Sequence, residues 1–189
     1  MNTPAHLILG LAAFSKRGNV SVTAAAGLGA LLPDLSLYVM AGVSLTLLQI
    51  PPQVVFGELY FSDAWQRVFA IDNSAVLWGL LLGLALWRKS GWAVALCGAA
   101  LLHIALDFPL HHDDGRPHFW PLSGWVFESP ISYWDSAHHA RIIAPLEGLL
   151  VLVCAGVLAM RHTAWWARLG NFALVALEAL TIRSWLMFF

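Results

Sequence analysis

The sequence predicts an all-α protein, a polytopic transmembrane helical bundle of about five to six membrane helices with a polar cap on one side. Three observations predict it. Of 189 residues, 59% are hydrophobic and only 11% charged, with a mean hydropathy of +0.71, which is far from the balance of a soluble domain. Apolar runs long enough to cross a hydrocarbon core about 30 Å thick recur along the chain. The polar residues gather at one end of those runs.

Residues 1–189 read as a single integral membrane domain. Four spans run from Val68 to Trp87, Gly91 to Leu110, Ile142 to Met160 and Leu169 to Phe188, each bounded by charge, Pro or Gly. The stretch from Val20 to Ile50 is also apolar but is interrupted at Pro33 and Asp34, so it forms one broken crossing helix or two shorter pieces. Pro4 to Phe14 reaches only about 16 Å as a helix. It packs as a half-helix or lies tilted against the bundle. The first basic residue, Lys16, follows the first apolar stretch instead of preceding it, so a cleaved leader is not expected. Cys97 and Cys154 sit inside apolar runs, where a thiol packs as a small hydrophobe.

Alternating crossings put Lys16, Arg17, Arg88, Lys89, Arg161 and Arg168 on one side, and Arg67, Arg116, Arg141 and most acids on the other. The positive-inside rule places the first set in the cytoplasm. The segments 51–66 and 111–141 then face the opposite side, periplasmic in a Gram-negative bacterium. The second is the extramembrane polar cap, and its Trp120, Trp125 and Trp134 suit a membrane-water interface. With a net charge of −1 and no basic block, the chain lacks the electrostatic footprint of a nucleic-acid binder. The expected partners are membrane lipids and a membrane protein or a second copy.

Seven of the eight histidines, all but His162, fall at the inferred outer end. His103 and Asp107 are four residues apart and share one helix face, which His111 continues unless Pro109 disturbs the last turn. An imidazole and a carboxylate at that spacing either hold one cation or hydrogen-bond to each other. Alternation brings His6, Asp34, Asp72 and Asn73 to the same end. Asp34 follows a proline break, where freed backbone needs a lined cavity, or it caps a helix starting at Leu35. In HHDDGRPHFWPLSGW, His111 lies nearest the His103 face, while His112, Asp113, Asp114 and His118 suit either a solvated loop or the site. Asp135, His138 and His139 close the site from above or sit in water. Glu147 is near enough to join the cluster, and Glu178 is structural, paired for example with Arg183. There is no CxxC, HExxH, GxSxG or Walker loop to anchor redox, zincin, serine-hydrolase or nucleotide chemistry.

Three blocks carry a family resemblance: TPAHLILG with His6, GALLPDL with Asp34, and LLHIALDFPLHHDDGRPHFWPLS. At these residues the chain resembles a family of bacterial inner-membrane metal-dependent hydrolases, the group that includes the LexA-regulated membrane-bound hydrolase. The blocks cover about a third of the chain, and their order and spacing are what make the match specific. The resemblance implies a divalent metal, zinc or a similar ion, held by His6, Asp34, His103, Asp107 and His111. It also implies hydrolysis of a lipid or amphiphilic ester, such as a phosphoester, with Asp107 or Asp72 as the base. The chain departs from the family pattern at Ser36, where a second carboxylate is typical, and at Asp72, Asn73 and Ser74, where a Thr-His-Ser block is typical. The site is then either rebuilt around Asp72 or without metal. Two further functions fit the same features: a non-catalytic membrane subunit that binds a partner or cofactor through the cap, and a transporter of ions or small solutes that uses the intramembrane acids.

Overall fold

A computed structural model describes residues 1–188, with side chains through residue 187. Among the described residues the chain is helical with no β-strand. Its elements are α1 (Thr3–Phe14), α2 (Val20–Gly42) running into a π-helical turn (Val43–Leu47), a single turn α3 (Pro52–Val54) running into another π-helical turn (Val55–Leu59), α4 (Asp63–Asp72), α5 (Ala75–Trp87), α6 (Gly91–Asp107), α7 (Ala140–Arg161) and α8 (Trp165–Phe188). Side chains just ahead of the first turn start three of them. Asn19 accepts from Val22 N at 3.0 Å, Ser62 from Trp65 N at 3.4 Å and Ser74 from Leu77 N at 3.0 Å, each satisfying an amide that the first turn leaves free.

Four stretches are long and apolar enough to cross a membrane: Val20–Leu47, Asp63–Trp87, Ala140–Arg161 and Trp165–Met187. They differ from the sequence expectation in two places. The Val20 to Ile50 stretch is one continuous helix through Pro33, so no helix begins at Leu35 and Asp34 is not its cap. The proline removes only the bond to the Gly29 carbonyl, which α2 tolerates while the rest of its ladder holds. The expected span from Gly91 to Leu110 ends at Asp107 after 17 residues, because the polar segment begins there and Pro109 cannot continue the ladder. The Asp63–Trp87 stretch is interrupted at Asn73 and Ser74, between α4 and α5.

The short helix α1 is the centre of the bundle, not a surface piece. Ala5, His6, Ile8, Leu9 and Gly10 are all buried, and Ile8 and Leu9 join Val151, Ala155 and Leu158 of α7 in the main apolar cluster. A helix apolar on every side is stable only when enclosed. Small residues make the enclosure tight: a Cβ on Gly10 would lie 2.6 Å from Ala30 Cβ, and one on Gly98 2.5 Å from the Phe14 ring. Close backbone approach through Gly and Ala is the usual way apolar helices associate in lipid. Outward faces are correspondingly apolar, with Leu80, Leu84 and Trp87 of α5 and Leu149, Leu152 and Val153 of α7 exposed.

Helix directions alternate. Arg161, at the end of α7, donates Nη1 to Ala12 O at 2.7 Å and to Ser15 O at 3.1 Å, closing the C-terminus of α1, and Ser15 Oγ meets His162 Nε2 at 2.9 Å. Gly91, which opens α6, lies beside Val22 near the start of α2. The basic connections therefore share one end, as the charge pattern requires. Replacing Arg161 with Met should destabilise the protein by about 1–3 kcal/mol, since removing the cationic donor leaves several carbonyls unpaired; a Lys replacement should recover part of it. Thermal unfolding in detergent is the measurement, and an unchanged midpoint for Arg161→Met would refute the capping role.

Candidate metal centre

At the other end, spacing and topology bring the polar groups together. Thr3 and His6 lie three residues apart on one face of α1, and His103 and Asp107 lie four apart on α6. Asp107 is the hub. Its Oδ1 accepts from His6 Nε2 at 2.9 Å, and its Oδ2 is 3.2 Å from His103 Nε2 and 3.5 Å from His111 Nε2. The Met1 amino nitrogen lies 2.5 Å from Oδ1. The His6 and His103 rings stack at 3.5 Å, 10° from parallel. His6, His103 and Asp107 are buried, and each offers one ligand atom within 4.8 Å of the others.

The hydrogen bonding of His103 is the most informative detail. Its Nδ1 donates to Ala30 O at 2.7 Å, so the ring in its neutral form presents its lone pair at Nε2. That nitrogen faces Asp107 Oδ2 at 3.2 Å and Asp34 Oδ1 at 3.6 Å, makes no hydrogen bond and is closed to solvent. A lone pair and two carboxylates set face to face in a low-dielectric site repel one another unless positive charge sits between them. The backbone acceptor behind Nδ1 is also the arrangement that fixes a metal-binding imidazole.

The surrounding groups hold this set in place. Thr3 Oγ1 donates to Asp34 Oδ2 at 2.5 Å and meets Tyr38 OH at 2.7 Å. His111 keeps the i, i+4 relation to Asp107 despite Pro109, because Leu110 N folds back on Asp107 O at 2.8 Å. Its Nδ1 lies 2.9 Å from Asp114 Oδ1, at ion-pair distance though off the line of a hydrogen bond. Burial alone would lower the His111 imidazolium, but Asp107 and Asp114 raise it to about 9. Burial would likewise raise Asp114, yet His111 holds it below the usual carboxylate range.

Other candidates stand elsewhere. Asp72 accepts from Asn73 Nδ2 at 3.0 Å and touches neither Asp107 nor the histidines around it among the described residues. Asn73 Nδ2 also donates to Pro33 O at 3.0 Å, so this amide braces the α4–α5 junction against α2. His112 and His138 bind the cap to itself, and His118 ties it to the α4–α5 junction. His112 Nδ1 donates to Ser129 O at 2.7 Å, its ring stacks on His138 at 3.6 Å, and His138 Nδ1 meets Asp135 Oδ2 at 2.5 Å. His118 Nδ1 donates to Asn73 O at 3.1 Å. Glu147 accepts from Asn2 N at 2.7 Å, and Glu178 accepts from Asn2 Nδ2 at 3.0 Å. Asn2, not Arg183, is therefore the partner of Glu178.

The chain matches no known protein family, no curated protein and no solved structure. The reading of this centre therefore stands on its own residues. Of the sequence candidates, His6, His103 and Asp107 converge, Asp34 and His111 flank them, and Asp72 lies apart. Thr3 and the Ala30 carbonyl were not among the candidates. Thr3 had a signal, its i, i+3 relation to His6, whereas a backbone acceptor on another helix has none.

Proposed function

We propose that this chain is a membrane-embedded metal-dependent hydrolase acting on a lipid or other amphiphile at its polar end, and that His6, Asp34, His103, Asp107 and His111 hold the ion. One observation carries it, the buried Nε2 of His103 facing two carboxylates without a proton donor between them. Imidazoles from three histidines with carboxylate oxygens suit zinc or a similar borderline ion. Such a cation supplies an activated water and an electrophile for an ester oxygen. The chain's own part is positional. Ala30 O orients His103, Thr3 orients Asp34, and Asp114 orients His111, while His6, His103 and Asp107 are buried from bulk water. The acidic end faces away from the basic connections, and the positive-inside rule then puts it on the periplasmic side of a bacterial inner membrane.

A second reading has support from Asn73, whose amide is occupied with Pro33 O and Asp72 where the resembled family has a histidine. In it, His103 takes a proton and the cluster is a clasp inside a non-catalytic membrane subunit. Elemental analysis of detergent-purified wild type and His103→Ala separates the two. The hydrolase reading expects about one ion per chain in the wild type and a near-complete loss in the variant. A wild type that holds no ion from a zinc-supplemented preparation would sink it.

A further inference from the structure

We propose that Arg116 is the anion-binding residue of this site and that the anion is a phosphoryl group. The inference deepens the hydrolase reading and rests on it for the neighbouring cation. Arg116 is only 7% exposed. Its guanidinium lies over the Phe69 ring at 3.9 Å and near the Tyr60 ring at 5.1 Å. Among the described residues it makes no ion pair and no hydrogen bond, and its Nη1 is closed to solvent and unpartnered. Asp114 and Asp72 feel its charge, but neither carboxylate is in contact with it, and a buried guanidinium without a contacting acceptor is costly for a fold to keep. Stacking on two aromatic faces offsets part of that cost, but it leaves Nη1 without an acceptor.

Its place in the fold says what the missing partner is for. Two residues before Arg116, Asp114 lies against His111, which reaches Asp107. Two residues after it, His118 is tied to Asn73, whose side chain holds Pro33 O beside Asp34. The segment is thus fastened to both walls of the carboxylate centre, with Arg116 at its middle. Tyr60 strengthens the fastening: burial pushes its phenol up to about 12, so it stays protonated and donates to Asp114 O at 3.1 Å. An oxyanion shared by a divalent cation and a guanidinium fork is the geometry a tetrahedral phosphoryl group meets, with oxygens on both sides. A lipid headgroup and free phosphate present the same chemistry.

The test uses the full chain in detergent, with arginine side chains labelled with nitrogen-15 and the Arg116 Nε signal assigned through Arg116→Lys. Inorganic phosphate, dihexanoyl phosphatidic acid and acetate are titrated separately, with and without zinc, and metal content is measured on the same samples. A saturable shift of the Arg116 signal with either phosphoryl compound, at concentrations where acetate leaves it unmoved, is the expected result. Response to phosphatidic acid alone identifies a lipid headgroup, and response to inorganic phosphate identifies the free anion. Arg116→Gln should weaken binding by at least about tenfold, the loss of one charge-assisted hydrogen bond, without changing metal content. An Arg116 signal that stays fixed through saturating additions of both phosphoryl compounds, or moves equally with acetate, overturns the proposal. So does a folded Arg116→Gln that binds phosphate as the wild type does. Absence of metal in the wild type refutes the metal centre instead, and the zinc-free titration still decides on Arg116.

Discussion

Asp107→Asn should lower zinc affinity by at least about a thousandfold, roughly 4 kcal/mol at 1.4 kcal/mol per decade. The substitution keeps the shape of the side chain and removes the charge around which His6, His103 and His111 are arranged. An amide oxygen is a weaker ligand than a carboxylate for a transition ion, and its NH2 would point a hydrogen at one of the ring nitrogens. Two outcomes separate a metal centre from a hydrogen-bonded clasp. If the cluster holds metal, zinc at about a thousand times its dissociation constant raises wild-type stability by about 4 kcal/mol and leaves the variant unchanged. If it is a clasp, the variant is destabilised by about 3–5 kcal/mol whether or not zinc is present, because one member of a buried charged set has been removed. Competition against a chromophoric chelator, together with thermal unfolding in both conditions, reads the difference.

The membrane helices were legible because hydropathy over about 20 residues is a strong signal, and the four long ones end within a few residues of charge or proline. The alternation of helix directions was legible from Lys and Arg alone, and the contact of Arg161 with the end of α1 confirms it. Two features were not. The sequence shows a proline at residue 33 but not whether the helix survives it, since that depends on which neighbour packs against the freed carbonyl. Nor does a short apolar stretch such as α1 say whether it lies in lipid or at the centre, because its pattern is apolar on all sides in either case.

In the site, the i, i+4 pair His103 and Asp107 followed from helix geometry, and the structure keeps His111 on the same face across Pro109. Bringing His6 and Asp34 to that end required the alternation of the crossings, which the periodicity of a single helix does not supply. Pairings between distant helices left no local trace. Asn2 bridging Glu147 and Glu178, and Ala30 O receiving His103, depend on which helix faces which. Arg116 was counted in the sequence only as an outer-side positive charge, because burial of its guanidinium without an acceptor is a property of the folded cap.

That dependence on packing makes Gly29 the most sensitive position outside the cluster. A Cβ there would lie 2.0 Å from Leu96 O and 2.8 Å from Leu96 C, so it meets the backbone of α6 instead of a side chain that can rotate away. α2 and α6 must then separate. The neighbouring residue on α2 is Ala30, whose carbonyl holds His103 Nδ1, and Ala30 Cβ in turn faces Gly10 of α1. Moving α2 outward therefore frees the His103 ring and carries Asp34 away from Nε2 in one displacement. Gly29→Ala should cost at least about 3 kcal/mol, the upper end for overpacking, because no rotamer relieves the contact. In whatever fraction still folds, zinc affinity should drop by at least about tenfold, within the range known for loss of an orienting partner. Gly79→Ala on α5, where an added Cβ meets nothing within 4 Å, is the matched control and should leave both unfolding temperature and zinc affinity as in the wild type. If Gly29→Ala unfolds at the wild-type temperature, the close approach of α2 to α6 is not what holds the centre.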